Sequence, residues 1–129
     1  MADHNALQQL FALYAWSMDG RELHRLNDVF AEGSAFVGSY PGGEFDFQGK
    51  AELVGFITDT TNAQTDQRRH VITNIMFESD AKARANLSLV VIDGGDVVLK
   101  TTGVYTVDLV EEGGSLRFKR MQLDLDAGF

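Results

Sequence analysis

The chain has 129 residues, of which 44% are hydrophobic and 23% are charged, as expected for one globular domain spanning residues 1–129. Its formal net charge of −8 at pH 7 argues against nucleic acid or a membrane surface as a partner, because both attract clusters of Lys and Arg. The lack of cysteine, of a secretory signal in MADHNALQQL and of any run of 18 apolar residues leads us to expect a cytoplasmic protein.

The first half of the chain has the spacing of three helices. Apolar residues recur every three or four positions, which predicts one amphipathic helix from about residue 5 to the Asp19-Gly20 pair. The same spacing predicts a second helix over residues 21–30. A third helix is expected within GKAELVGFITDTTN, residues 49–62. The first two helices precede a short strand hairpin, and the third follows it.

Strand patterns fill the rest of the chain. SAFVGS (34–39) and EFDFQ (44–48) read as short strands around a turn at Pro41. Four longer strands are predicted at about 68–78, 82–92, 96–110 and 115–125, with glycine-rich hairpin turns in the second half. Helices segregated from a mostly antiparallel sheet define an α+β fold, and a sheet curled around helices leaves a concave interior for a small molecule.

The last predicted strand contains an irregularity. Its apolar face switches between Lys119 and Arg120, from the side of Phe118 to the side of Met121. A period of two residues cannot change face by itself. We therefore expect a β-bulge or a change of packing partner at this point.

Two residues are candidates for chemistry. Asp19 lies at the C-terminal end of the first helix, where the macrodipole disfavours a negative charge, so it either faces water or has a specific partner. His70 stands near the start of the strand RRHVITNIMFES, where it is either a structural residue or a general base. Local sequence leaves both alternatives open.

Three stretches carry a family resemblance: LFALYAWSMDGRELHRLNDVFAEGSAF, FQGKAELVGFI and RRHVITNIMFESDAKARANLSLVV. In this order and spacing they resemble the SnoaL-like branch of the nuclear transport factor 2-like superfamily, and most of all its scytalone dehydratase and hexachlorocyclohexane dehydrochlorinase group. The resemblance implies a cone-shaped α+β barrel, in which a strongly curved, mostly antiparallel sheet wraps around three helices. It also implies a catalytic dyad of Asp19 and His70, with His70 as the base.

The activity implied by the resemblance is that of a cofactor-independent lyase or isomerase. A histidine held by a buried carboxylate can remove a C–H proton and so promote dehydration, elimination or isomerisation, without a cofactor or a metal. In the dehydrochlorinase, a lysine and an arginine hold the leaving chloride. Tyr14 and Met121 stand at those positions here, so we do not expect halide elimination.

The expected substrate is a small, largely apolar organic molecule in the interior of the cone. Asn74 lies four residues after His70, so it either shares the inward face or belongs to a bulge. The resemblance and the strand alternation together predict the following substrate-binding residues: Tyr14, Phe36, Phe56, Asn74, Leu89, Tyr105 and Met121.

Two alternatives remain at this point. One is a non-catalytic small-molecule-binding or scaffold protein of the same fold, and the other is a polyketide cyclase-like enzyme with Asp124 or Asp126 as its base. In either case, Val90, Val98 and Val104 are expected on the outer face of the sheet, where their exposure favours a homodimer or homotrimer.

Overall fold

The helices of the protein pack on one side of a single sheet. The structure is a computed structural model that describes residues 3–128. Helix α1 spans His4–Asp19, a 3₁₀ helix spans Leu23–Asp28, and helix α2 spans Lys50–Asn62. Asp3 caps α1, since its side chain accepts a hydrogen bond of 3.1 Å from the Ala6 backbone N–H. The first and third predicted helices are therefore confirmed.

The second predicted helix is shorter and tighter than expected. Residues 21–30 were predicted to be helical, whereas only Leu23–Asp28 form helix, and they form a 3₁₀ helix. Side chains three residues apart eclipse one another in this geometry, so Leu23 and Leu26 both turn toward the core. Phe30 instead begins the first strand.

Within residues 3–128, six strands follow the predicted order. They are β1 Phe30–Tyr40, β2 Gly43–Gln48, β3 Gln67–Ser79, β4 Lys82–Asp93, β5 Asp96–Glu112 and β6 Ser115–Leu125. They form one sheet in the order β2-β1-β6-β5-β4-β3. Only the β1–β6 pair is parallel, and the other four pairs are antiparallel. The α+β class and the mostly antiparallel sheet are confirmed.

The sheet curves around the helices, as the cone-shaped fold implied, and it does not close on itself into a full barrel. The outer strands β2 and β3 do not pair with each other. Helix α1 packs against β3 and α2 packs against β1 and β2, so the helices occupy the gap that barrel closure would have to eliminate.

The core lies between α1 and the concave face of the sheet. An aromatic cluster forms its centre, in which Phe11, Phe30 and Phe118 are at most 1% exposed and Tyr14 and Tyr105 at most 2%. Neighbouring rings are 5.1–6.2 Å apart and meet in tilted or edge-on geometry, as aromatic quadrupoles prefer. Tyr14 is the member of this cluster that also lines the cavity described below.

The predicted irregularity in the last strand is a β-bulge. Phe118 pairs with Leu109 of β5 and Arg120 pairs with Asp108, so Lys119 is an additional residue without a partner of its own. The bulge allows Phe118 and Met121, which a regular strand would place on opposite faces, both to be completely buried.

A second bulge moves one of the predicted outward residues. Val90 pairs with Leu99 and Leu89 pairs with Thr101, which leaves Lys100 as the additional residue of β5. Cross-strand partners share a face. Leu99 therefore lies beside Val90 on the outer face, and the outward placement predicted for Val98 is wrong.

Candidate active site

Asp19 and His70 are brought together by the end of α1 and the start of β3. They are 51 residues apart in the chain, yet Asp19 Oδ1 lies 2.6 Å from His70 Nδ1. Asp19 Oδ2 accepts a second hydrogen bond, of 2.7 Å, from the backbone N–H of His70. The side chains are 7% and 14% exposed, respectively, so both bonds are shielded from water. A catalytic role for this pair stays a prediction.

The two contacts of Asp19 determine the tautomer of His70. A carboxylate only accepts hydrogen bonds, so Nδ1 must carry the proton that faces Asp19. In neutral imidazole, Nε2 then has the free lone pair. His70 lines a cavity between the helices and the sheet, and together with Asp19 it also lines an open groove beside α1. Nε2 is the ring nitrogen that the bond to Asp19 leaves free. The arrangement therefore leaves Nε2 as a potential base and holds the opposite nitrogen in place.

The cavity is small and mainly apolar. Its volume is about 80 Å³. Its apolar wall is formed by Met18, Phe36, Phe56, Ile57, Leu87, Leu89, Leu123 and Leu125. Its polar groups are the side chains of Tyr14, Thr60, Thr61, Gln64, Arg68 and His70. Typical small-molecule sites occupy ~300–1,000 Å³, so this one suits a compact ligand.

Tyr14 and Tyr105 form a buried pair of phenols beside His70. Their hydroxyl oxygens are 3.1 Å apart, and the Tyr14 ring meets the His70 ring edge-on at 6.3 Å. Burial raises the pKa of both phenols well above the ordinary value, and the nearby charge of Asp19 raises the pKa of each further. Both groups therefore stay protonated and can donate hydrogen bonds.

The structure divides the predicted substrate-binding residues into three groups. Tyr14, Phe36, Phe56 and Leu89 line the cavity, as expected. Tyr105 and Met121 are completely buried in the core behind it. Tyr105 thus reaches the cavity only through its hydrogen bond to Tyr14.

Asn74 forms the third group, since it lies at the β-bulge that the sequence left open as the alternative to a place on the inward face. Thr73 pairs with Asn86 and Met76 pairs with Arg84, so β3 has one more residue than β4 between these pairs. Asn74 adopts a left-handed φ of 57° at this bulge, a conformation that asparagine tolerates better than most residues. It lies in an exposed groove with Arg84 and Asn86, away from His70.

Sequence reasoning missed several lining residues that the alternation within strands could have found. Arg68 precedes His70 by two residues and shares its face, and Leu87 has the same relation to Leu89. The Arg68 guanidinium is largely buried, with Nε 3.0 Å from Asp66 Oδ1. It places a cation at a mainly apolar cavity.

The acidic residues of the last strand lie elsewhere. Asp124 accepts hydrogen bonds from Ser39 and Gln122, in a groove on the other side of the sheet from the cavity. Asp126 accepts a hydrogen bond from Thr102 and is exposed. Neither residue lines the cavity that contains His70.

Residues 3–128 contain neither a membrane-spanning helix nor a metal-binding cluster. No helix in this range is long and apolar enough to cross a membrane. No group of three or more His, Cys, Asp or Glu side chains in the same range is arranged to hold a metal ion.

The curved sheet, the helices on its concave side and the cavity between them define the nuclear transport factor 2-like fold class. Residues 1–122 match the model of the SnoaL-like domain, and the chain belongs to that family. No curated protein sequence matches the chain.

Solved structures support the same fold. A candidate scytalone dehydratase from Novosphingobium aromaticivorans is 19% identical, with a TM-score of 0.75, over 94% of this chain and 82% of its own. A protein from Catenulispora acidiphila in complex with S-DNPA is 18% identical, with a TM-score of 0.77. The match covers 95% of this chain and 92% of that protein. A candidate isomerase of the SnoaL-like family from Agrobacterium tumefaciens is 16% identical, with a TM-score of 0.71. The match covers 95% of this chain and 99% of that protein.

Proposed function

We propose that the protein is a cofactor-independent lyase or isomerase of the dehydratase type, with His70 as general base and Asp19 as its partner. One observation carries this proposal: a histidine that lines an apolar cavity is bonded through its far nitrogen to a buried carboxylate. The same arrangement activates histidine in unrelated hydrolases, where the carboxylate fixes the tautomer and stabilises the imidazolium.

The proposed reaction begins with removal of a C–H proton. The Nε2 lone pair of His70 accepts the proton, and the C–H electron pair forms a new double bond. In elimination, a leaving group departs with its bonding electron pair. In isomerisation, an existing double bond shifts and its electron pair takes the proton at another carbon. The Asp19 carboxylate, 2.6 Å from Nδ1, stabilises the positive charge that develops on the ring. General base catalysis of this kind contributes about 10²–10⁴-fold in rate, and the apolar wall strengthens it by excluding water.

Tyr14 is the proposed hydrogen-bond donor to a substrate oxygen. Two phenols contain two O–H groups, but the single contact between Tyr14 and Tyr105 uses only one of them. Only Tyr14 of the two lines the cavity. If Tyr105 donates to Tyr14, the Tyr14 proton is free for a carbonyl or hydroxyl oxygen, where negative charge grows during proton abstraction.

The chemistry of the wall indicates the substrate class. A small, largely apolar molecule with one oxygen substituent matches the mainly aliphatic and aromatic side chains and the polar group of Tyr14. A substrate larger than about the size of one ring requires the side chains around the 80 Å³ cavity to move apart. The dehydratase and isomerase descriptions of two structural neighbours agree with this reaction class.

A non-catalytic binding or scaffold role is the second candidate. The small volume of the cavity favours it, because little space is left for a reacting substrate. The β subunit of a candidate aromatic-ring-hydroxylating dioxygenase also has this fold, with a TM-score of 0.74. A cyclase-like reaction with an acidic base on the last strand has less support, since Asp124 and Asp126 lie outside the cavity.

Turnover of cyclic hydroxyketones and enones by purified variants tests the proposal. Asp19→Asn and His70→Ala should each remove most activity, and the double variant should lose little more, because the two side chains act as one unit. Asp93→Asn and His24→Ala are matched controls at exposed positions. Turnover that survives both site substitutions would reject the dyad. Binding of these compounds without any turnover would favour the second candidate.

A further inference from the structure

The turn after Asp19 has an uncommon backbone conformation. Arg21 has a φ of 53°, which lies in the left-handed region. Gly20, directly before it, could adopt a left-handed conformation without strain but has a φ of −91°. Such a conformation is unfavourable for a non-glycine residue, because its Cβ crowds the following carbonyl oxygen. Conformations of this kind persist where surrounding contacts impose them, so the contacts of the Arg21 side chain need an explanation.

The Arg21 guanidinium binds three backbone carbonyls. Nη1 donates to the Thr61 oxygen at 2.8 Å, and Nη2 donates to the oxygens of Gln64 and Asp66 at 2.9 and 3.3 Å. Thr61 is in the last turn of α2, which has no basic residue of its own. Arg21 therefore supplies the cation that favours the negative end of this helix. Its bond to the Thr61 oxygen adds to the one that this oxygen accepts from the Gln64 backbone N–H at 3.1 Å.

These bonds connect the two elements that carry the candidate dyad. Asp19 is two residues before Arg21, and the bound carbonyls lead directly into β3, which carries His70. A further bond supports the connection, as Gln67 Nε2 donates to the Asp19 backbone oxygen at 2.9 Å. The end of α1 and residues 61–67 are far apart in the chain, so these hydrogen bonds link two separate segments.

We propose that Arg21 is a positioning residue, which sets the distance between Asp19 and His70 by tying the end of α1 to residues 61–66. Its planar fork reaches several carbonyls at once, and a lysine ammonium cannot reproduce that geometry. Thr61 and Gln64 also line the cavity, so the same bonds hold that part of its wall. The catalytic consequence rests on the proposed function, but the geometric claim does not.

The test is the NMR signal of the proton between His70 and Asp19. A short hydrogen bond moves the Nδ1–H resonance strongly downfield, and Asp19→Asn identifies that resonance by removing it. Arg21→Gln and Arg21→Lys are compared with Arg25→Gln, a control four residues along whose side chain is half-exposed and pairs with Glu22 at 3.2 Å. Circular dichroism establishes that each variant is folded.

We expect both Arg21 variants to lose the downfield resonance, or to shift it toward the value of unbonded imidazole, and Arg25→Gln to retain it. If Arg21→Gln does not fold, Arg21→Lys decides the matter, since it keeps the positive charge. A folded Arg21 variant with an unchanged resonance overturns the proposal, even if Asp19→Asn abolishes turnover. Loss of the resonance in a protein that turns over no substrate would support the positioning role and count against the proposed function.

Discussion

The substitution Asp19→Asn should reverse the tautomer of His70. Asp19 faces two groups, the backbone N–H of His70 and its Nδ1 atom. The backbone N–H can only donate, so the single oxygen of asparagine must turn toward it. The asparagine NH₂ group then faces Nδ1 and donates to it, which moves the imidazole proton to Nε2. His70 would present an N–H to the cavity instead of a lone pair, and could not act as a base.

The size of the effect follows from these two contacts. Both bonds keep a partner in the variant, but both lose the carboxylate charge. Hydrogen bonds to charged groups contribute about 1.5–3 kcal/mol and neutral ones about 0.5–1.5 kcal/mol. The free energy of unfolding should therefore fall by about 2–3 kcal/mol. Activity should fall much further, by about 10⁴-fold in kcat, as in hydrolases where the equivalent change produces the wrong tautomer.

The assay needs no substrate. The ¹⁵N chemical shifts of the His70 ring distinguish a protonated Nδ1 from a protonated Nε2. The wild-type protein should carry the proton on Nδ1 and Asp19→Asn on Nε2, while urea unfolding measures the stability loss. Asp19→Ala is the informative comparison, because it leaves two shielded N–H groups without a partner and should cost more than Asp19→Asn. Identical ring shifts in wild type and Asp19→Asn would refute the reasoning.

Three further outcomes are expected. Burial raises the pKa of Tyr14 and Tyr105 above 10.0, so the stability that the two phenols contribute is complete below about pH 10. As pH rises further, the free energy of unfolding should fall by about 1.4 kcal/mol per pH unit for each phenol. Urea titrations of wild type and Tyr105→Phe measure this slope, which should be smaller in the variant. Leu87→Trp should fill the cavity at a cost of about 1–3 kcal/mol and abolish the thermal shift caused by any compound that stabilises the wild type; an unchanged shift would place the ligand elsewhere. Light scattering should show a dimer or trimer, because Leu99 and Val104 are 61% and 39% exposed on the outer sheet face. Leu99→Asp or Val104→Asp should dissociate this oligomer. A monomeric wild type at high concentration would contradict the prediction.

Local pattern alone accounts for the order and type of most elements. Helix α1, the β1–β2 hairpin and the four long strands follow from apolar periods of three to four or of two residues, because each element must bury one face. The bulge at Lys119 was visible for the same reason, since Phe118 and Met121 are both apolar and cannot be buried in a regular strand. These features depend on residues close together in the chain.

Pairing between distant segments could not be derived in this way. Nothing near Asp19 or His70 indicates that they meet, and the prediction came from a family resemblance. The contact depends on the turn at Arg21, whose three carbonyl partners lie 40–45 residues further along the chain. Sequence could therefore name the two residues but not what holds them together.

Only the tertiary structure decided where several side chains point. Asn74 lies away from His70 and Val98 was misplaced because a bulge in β3 and another in β5 change the alternation, and a bulge depends on the register with the neighbouring strand. Tyr105 lies behind Tyr14 because helix α1 packs over it. The cavity volume of about 80 Å³ depends on how side chains from α1, α2 and four strands fill the space between them, which no single stretch of sequence specifies.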